Sequence, residues 1–461
     1  MGNGRTHRPE VSPSKCSACG GCTWRCPATA LPSLRAEPGS LRGALYTARP
    51  YPGRSAELPP CALACPLGQD VPGYVSAVAR GELEEAARII RETNALPSAC
   101  GRLCLASCMR ACSRAALDEG VDIRGLKRAA VDAVPAPARA ARKEAHFKVA
   151  VVGAGPAGLA AAHRLAELGA VVTVLEAGSV AGGMLADTVP SFAMPEKALA
   201  ADVAAIVASG VEIRLGVRVG ADVAIASLEN DFDAVLVATG ARRGVVPALE
   251  GRELKGVLDA VAFCRSARSK ERIVPKGAVV VLGGGPAALQ AARVAIKLGA
   301  SKATAVYAAP RAQWPAGEEA IRAAEAEGVS ILPSRRATAI EGKNGAVTAV
   351  SVQPVKSGVA DAVGRVALAG SGAAERLEAS AVIAAADRRP SPGAWKELEG
   401  VRRGVLGNLV VDAAYRLGRR RWYAAGEAAT GAATVVDSMA TGRRAAEAMI
   451  RDLASESGGS R

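Results

Sequence analysis

Apolar and polar positions divide the chain into distinct regimes. Up to about residue 60 no period of two or of 3.6 residues is sustained, and Pro and Gly recur in "RAEPGSLRGALYTARPYPGRSAELPPC", so this part predicts loops. From Val71 to Asn94 the stretch "VPGYVSAVARGELEEAARIIRETN" carries apolar residues at helical spacing, broken at Gly81, which predicts two short helices. A Pro- and Ala-rich linker, "VDAVPAPARAARKEAH", follows. From Phe147 the pattern becomes apolar run, glycine turn, periodic helix, apolar run: "KVAVVGAGPAGLAAAHRLAELGAVVTVLEA". The same unit returns about 130 residues later as "AVVVLGGGPAALQAARVAIKLGASKATAVYAAP", with strand-like "FDAVLVATG" between the two. The closing "RRWYAAGEAATGAATVVDSMATGRRAAEAMIRDL" reads as a short strand, a small-residue loop and a helix. Two such strand–helix–strand units predict an α/β protein with two Rossmann-like nucleotide-binding domains rather than one long sheet.

The glycines of the first unit have separate tasks. After the apolar strand, Gly153 permits a tight turn, Gly155 lets backbone approach a pyrophosphate, and Gly158 lets helix and strand pack closely. Pro156 and Ala157 open the helix, whose free N–H groups and dipole face the phosphates. The second strand ends at Glu176, about twenty residues on, where a carboxylate can bind ribose hydroxyls. In the second unit Gly283, Gly285 and Ala288 take the corresponding places, but no acid ends the second strand. Ala308 and Ala309 follow Tyr307 there, and Arg311 is the nearby cation available for a 2'-phosphate. A degenerate, purely structural unit is the alternative to a nicotinamide site.

Composition narrows the class of function. Hydrophobic residues make up 50% and charged residues 22%, yet no uninterrupted apolar run approaches the roughly 20 residues of a membrane-spanning helix. The start "MGNGRTHRPE" lacks an apolar segment, which adds the expectation of a cytoplasmic location. A formal charge of +14 suits acidic partners such as a small ferredoxin, a solvated basic surface being the alternative. Aromatics are only 3%, and no basic block interleaves stacking residues, which argues against nucleic acid.

Ten of the eleven cysteines lie between Cys16 and Cys112. Cys16, Cys19, Cys22 and Cys26, followed by Pro27, have the C-x2-C-x2-C-x3-C-P spacing with which ferredoxins hold iron–sulfur clusters. Cys61, Cys65, Cys100, Cys104, Cys108 and Cys112 are the further ligand candidates. Zinc is the rival, because C-x2-C pairs also bind it; disulfides and inert buried thiols remain alternatives, and Cys264 reads as simply buried.

Together these motifs resemble the small (β) subunit of NADPH-dependent glutamate synthase and the matching N-terminal half of dihydropyrimidine dehydrogenase. The resemblance runs from about Cys61 to the C-terminus, through "CALACPLGQDVPGYVSAVARGELEEAARIIRETN", "CGRLC", "AGGML", "VLVATGA" and "AAGEAATGAATVVDSMATGRRAA". It implies a helical domain with [4Fe-4S] clusters, one to three in number with two the central expectation, FAD on the first glycine motif and NADPH or NADH on the second. It also implies flavin contacts from Gly153, Gly155, Gly158, Glu176, Gly182, Gly183, Thr239, Gly240, Gly426, Glu427 and Val435. The domain bounds expected are 1–60 for a ferredoxin-like segment, 61–145 for the helical cluster domain, 146–250 with 380–461 for FAD, and 251–379 for an inserted NAD(P) domain. Departures are visible. The family's C-x2-C just upstream of Cys61 is missing, with the Cys16–Cys26 run as a substitute. Lys127 stands where the family uses Gln or Glu as a cluster ligand, with Cys100 as a replacement. Ala308 and Ala309 replace paired arginines, Pro286 and Gln290 replace Asn and Asp, and Glu427 replaces Asp.

The resemblance implies an electron-transfer flavoprotein that passes electrons between NAD(P)H, FAD and clusters to ferredoxin or a catalytic partner subunit. No side chain is expected to act as acid, base or nucleophile, since cofactors carry such chemistry. No C-x4-C follows "AGGML", which argues against a thiol–disulfide relay. The residues leave the direction of electron flow open. A relay subunit with a lost nicotinamide site is the alternative reading.

Overall fold

The computed structural model describes residues 59–117, 119–136, 147–269, 271–360, 366–391, 393, 395 and 398–458. The Cys16, Cys19, Cys22 and Cys26 run therefore lies outside the described residues. The described residues form two units: one holds those up to Ala186 together with those of Met194–Gly240 and of 393–458, the other Asp187–Ala193 with those of Ala241–Ser391.

The first unit begins with short helices that carry the cysteines. Val71–Ala79 and Leu83–Arg91 are separate helices, parted at Gly81 with φ +79°. Asp70 caps the first by accepting from the Gly73 amide at 3.1 Å. Pro97–Leu103, Ser107–Arg110 and Ile123–Ala133 follow. Their shared core holds Tyr74, Ile90, Cys108, Ile123 and Ala130. The last helix runs into the stretch that reads as linker, because Ala130 and Val131 continue its buried face.

After this comes a five-stranded parallel sheet in the order Trp422–Ala424, Ala234–Val237, Phe147–Val152, Ala170–Glu176, Glu212–Leu215. Helices Pro156–Glu167 and Val435–Gly458 cover it. The order reverses between Phe147–Val152 and Ala234–Val237, and a sheet of this kind binds ligands at the carboxyl ends of the strands flanking that switch.

The second unit repeats the plan. Its parallel sheet runs Val257–Asp259, Ala381–Ala384, Ala278–Leu282, Lys302–Tyr307, Val329–Pro333. The boundaries expected near residues 250 and 380 lie inside this unit, because Ala381–Ala384 fills its sheet and Arg243–Val245 pairs with Asp387–Arg389 where the chain enters and leaves. A four-stranded antiparallel sheet built on the hairpin Arg335–Lys343 and Ala346–Ala360 is attached. Asn344 and Gly345, at φ +54° and +77°, form its turn, the Asn-Gly signal of a tight hairpin.

Candidate functional site

The first glycine loop is a cradle in which two of the missing side chains have no room within the protein. A Cβ on Gly153 would lie 2.6 Å from the Ala238 carbonyl oxygen and 3.3 Å from Thr239 Cα; one on Gly158 would lie 1.9 Å from the Gly153 carbonyl oxygen. Gly155, in contrast, faces open space, with nothing within 4 Å of its Cβ direction. It is also the N-cap of helix Pro156–Glu167 and supplies no side chain to the helix end, so the N–H groups there remain for an anion. Gly182 and Gly183 close in from the side: the Gly182 amide donates to the Ala154 carbonyl at 2.8 Å, and a Cβ on Gly183 would come within 2.9 Å of Gly155 Cα. Glu176 is buried, its Oε2 accepting from the Ala154 amide and its Oε1 from the Gly178 amide, each at 2.7 Å. That fixes the carboxylate while leaving lone pairs for ribose hydroxyls.

The closing loop completes this cradle. The Gly426 amide donates to Thr441 Oγ1 at 2.9 Å, and Glu427 Oε1 accepts from the Ala433 amide at 3.0 Å. A Cβ on Gly442 would meet the Ala157 carbonyl oxygen at 2.0 Å. Val435 opens the helix that carries Gly442. The expected flavin residues Gly153, Gly155, Pro156, Ala157, Gly158, Glu176, Gly182, Gly183, Thr239, Gly240, Gly426, Glu427 and Val435 thus all belong to the first unit.

The second loop repeats the geometry with one relaxation. A Cβ on Gly283 would lie 2.7 Å from the Ala385 carbonyl oxygen, and Gly285 again faces open space at an uncapped helix start. Ala288 replaces the third glycine, and its methyl group is accommodated, 3.2 Å from where a Cβ on Gly283 would lie. Beyond the second strand, Arg311 is held on both sides: Glu318 and Glu325 each accept two of its hydrogen bonds at 2.5–3.2 Å. Tyr307 packs edge-on to Trp314 at 5.8 Å, and the Ala316 amide donates to the Gly284 carbonyl at 3.1 Å.

Six free cysteines gather in the helical part. Cys65, Cys100, Cys104 and Cys108 are buried, whereas Cys61 and Cys112 are half-exposed. Four of them feel the charge of others in the group: Cys61 that of Cys112 and Cys65, Cys100 that of Cys104 and Cys65, Cys104 that of Cys65, and Cys108 that of Cys65 and Cys104. Burial pushes the Cys108 thiol up to about 11 and those of Cys100 and Cys104 upward too. Hydrogen bonding, first from the Val121 backbone, lowers the Cys112 thiol. Three buried thiols held protonated need a strong cationic centre to ionise. The donor set is thiols alone, the ligand type that iron–sulfur clusters take; among the described residues no group of three His, Cys, Asp or Glu side chains is placed to hold a single metal ion. The Ala106 amide already donates to Cys104 Sγ at 3.4 Å. Cys264 belongs to the second unit, buried and pushed up to about 12, far from thiolate reactivity.

One helix serves both centres. On Val435–Gly458, Thr441 Oγ1 accepts from Gly426 in the flavin loop, and Arg444, three residues on, donates to the carbonyl of Pro66 at 2.9 Å. Pro66 follows Cys65. Loop and cysteine are therefore tied to points less than one helical turn apart.

Asp202, which carries no sequence signal, anchors the cysteine helix. Its carboxylate accepts from the Ser98 amide at 3.0 Å, the Ser98 hydroxyl at 2.8 Å and the Ala99 amide at 3.3 Å, capping Pro97–Leu103 from another element. Burial outweighs those bonds and pushes the carboxyl up to about 7, from 3.8. The folded state therefore keeps a proton that the unfolded chain releases, so stability falls as pH rises from about 4 to about 7. Asp202→Asn should flatten that slope, and Asp202→Ala should cost about 1–3 kcal/mol for each of the three donors left without a partner. Thermal unfolding between pH 4 and pH 8, both outside that window or at its edge, measures both effects; an unchanged slope in Asp202→Asn would assign the titration to another group.

Comparison with known proteins assigns the chain to a family. Residues 147–445 match the pyridine nucleotide-disulphide oxidoreductase family, and residues 55–138 match dihydropyrimidine dehydrogenase domain II, 4Fe-4S cluster. The NADP(+)-dependent formate dehydrogenase subunit beta of Moorella thermoacetica is 39% identical over 66% of this chain, which spans only 47% of that relative. The NAD-dependent dihydropyrimidine dehydrogenase subunit PreT of Salmonella typhimurium is 31% identical, covering 85% of this chain and 90% of the relative. The glutamate synthase [NADPH] small chain of Escherichia coli is 29% identical, covering 86% and 89%. The chain thus spans about half the length of the first of these relatives and most of the other two. Among the described residues no helix is long and apolar enough to cross a membrane. With its two glycine cradles and its gathered cysteines, the chain belongs to the pyridine nucleotide-disulphide oxidoreductase family, as an FAD- and NAD(P)H-binding member joined to a 4Fe-4S domain.

Proposed function

We propose that the chain exchanges electrons between NADH and a partner redox protein, through FAD on the first glycine cradle and clusters among the cysteines. The observation that carries this reading is the shared helix: the flavin loop at Gly426 and the backbone beside Cys65 are fixed less than a turn apart. When bound, FAD exchanges hydride with a nicotinamide and single electrons with clusters, a conversion that side chains do not perform. The residues supply placement. Gly155 and the uncapped helix end hold the pyrophosphate, Glu176 the ribose, and Gly285 the pyrophosphate of the nicotinamide nucleotide. Cys65, Cys104 and Cys108, with Cys100 beside them, offer a buried cluster seat, and Cys61 with Cys112 offers part of a more exposed one. Such an exposed seat suits transfer to a ferredoxin or a partner subunit, and the relatives named above are themselves subunits or chains of larger assemblies.

NADH is favoured over NADPH by the state of Arg311. A 2'-phosphate needs a free, forked guanidinium, and this one is already held by Glu318 and Glu325. The relatives carry both NAD and NADP in their names, so local geometry has to decide. Anaerobic titration of the reconstituted protein, following flavin and cluster absorbance, should show bleaching by NADH at lower concentration than by NADPH. Arginines at Ala308 and Ala309 should reverse that order. Bleaching by dithionite but by neither nucleotide would reduce the chain to a relay with a vestigial second unit.

A further inference from the structure

We propose that Lys127 is a buried counter-cation for the cluster seated by Cys65, Cys100, Cys104 and Cys108, and that it sets that cluster's reduction potential upward. The inference rests on reading these cysteines as cluster ligands, and it concerns a residue to which that reading gives no role.

Lys127 is only 5% exposed. A buried ammonium is costly unless charge and hydrogen bonds compensate it. Among the described residues no carboxylate pairs with it. Its contacts are Gln69 Oε1, which accepts from Nζ at 2.5 Å, and the Tyr74 ring face, 5.8 Å from Nζ. Gln69 is itself fixed, 1% exposed, with Nε2 donating to the Ile90 carbonyl at 3.0 Å, so its oxygen is committed to receiving Lys127. One donor of the ammonium is satisfied in this way, but its charge is not. The Tyr74 ring that faces Nζ shares one buried cluster with Cys108, and the charge of Lys127 reaches Cys100, Cys104 and Cys108, favouring the thiolate of each. A cubane on four thiolates is negatively charged when oxidised and more so when reduced. A fixed cation beside it therefore stabilises the reduced form more, and net charge is among the determinants of cluster potential. A ligand role for Lys127 is disfavoured, because an ammonium has no lone pair to give.

The test is an anaerobic redox titration, monitored by electron paramagnetic resonance, of the full-length, iron-loaded protein and of Lys127→Gln, Lys127→Met and Lys127→Arg. In Lys127→Gln and Lys127→Met one cluster signal should shift to lower potential, with the reduced-to-oxidised ratio at fixed ambient potential falling at least tenfold, about 59 mV for one electron. Lys127→Arg should stay near the wild type. The iron-free proteins give an independent reading: Lys127→Met should unfold at a higher temperature than wild type, since the uncompensated ammonium is gone. Unchanged potentials in all variants with full iron content would overturn the proposal and leave Lys127 as a hydrogen-bond donor to Gln69. Equal loss of iron in the Arg and Met variants would overturn it too, by making Lys127 a ligand. Failure of the wild type to take up iron would instead reject the cluster reading on which the inference stands.

Discussion

A Gly155→Ala protein is expected to fold normally and to lose its FAD. Gly155 has extended backbone with φ −77°, which any residue adopts, and nothing lies within 4 Å of the added Cβ. The methyl group therefore meets no protein atom. It projects into the space where a pyrophosphate must approach the backbone at the start of helix Pro156–Glu167. Thermal unfolding without flavin should match the wild type, while FAD affinity should fall about a hundredfold, or about 2.8 kcal/mol. Gly158→Ala makes the contrast. Its Cβ would lie 1.9 Å from the Gly153 carbonyl oxygen, so helix and loop must separate, and both stability and flavin should be lost. Flavin-to-protein absorbance ratios after desalting, with unfolding temperatures, distinguish the two. Full flavin retention in Gly155→Ala would mean that the dinucleotide does not approach this loop.

Removing the Cys65 thiol should divide the activity in two. Cys65 acts electrostatically on Cys61, Cys100, Cys104 and Cys108, and its neighbour Pro66 is bound by Arg444 from the flavin-side helix. In Cys65→Ser, NADH should still bleach the flavin, because the glycine cradles are untouched. Reduction of a one-electron acceptor protein should drop by two or more orders of magnitude, and the iron content should fall by one cluster. Stopped-flow absorbance at flavin and cluster wavelengths, with iron analysis, reads these separately. Undiminished electron transfer to the acceptor would place the exit route away from Cys65.

Ser replacement should leave the fold largely in place, because the cluster helices are anchored by other means. Asp202 holds Pro97–Leu103 by its N-terminal amides, Ser107 Oγ donates to the Ala64 carbonyl at 2.7 Å, and Arg102 forms an ion pair with Asp132 at 2.7 Å. Of these only the Asp202 contacts are fully buried, and they carry most of the energetic weight, exposed ion pairs contributing little.

Much of this is legible in the order of residues alone. A turn that only glycine can make, a helix that must start at the phosphate, and a carboxylate one strand later are constraints on adjacent residues, so the order "VAVVGAGPAGLAAAH" followed by "VVTVLEA" declares a dinucleotide site by itself. Cysteine spacing speaks in the same local way, and Asn344-Gly345 is the local signal of its hairpin. Asp202, Gly442, Arg444 and the link between Lys127 and Gln69 give no such signal. Each acts on a partner far away in the chain: Asp202 lies 104 residues from Ser98, and Arg444 lies 378 from Pro66.

By itself the sequence determined the two nucleotide-binding units and the gathering of cysteines, because these are written in short-range spacing and in what glycine alone can do. The tertiary structure decided three further things: that Arg311 is held by Glu318 and Glu325, that Lys127 is buried with no carboxylate partner among the described residues, and that one helix ties the flavin loop to Cys65. The physical reason is common to all three. The state of a charge depends on which groups surround it after folding, and no local pattern records which distant residues those will be.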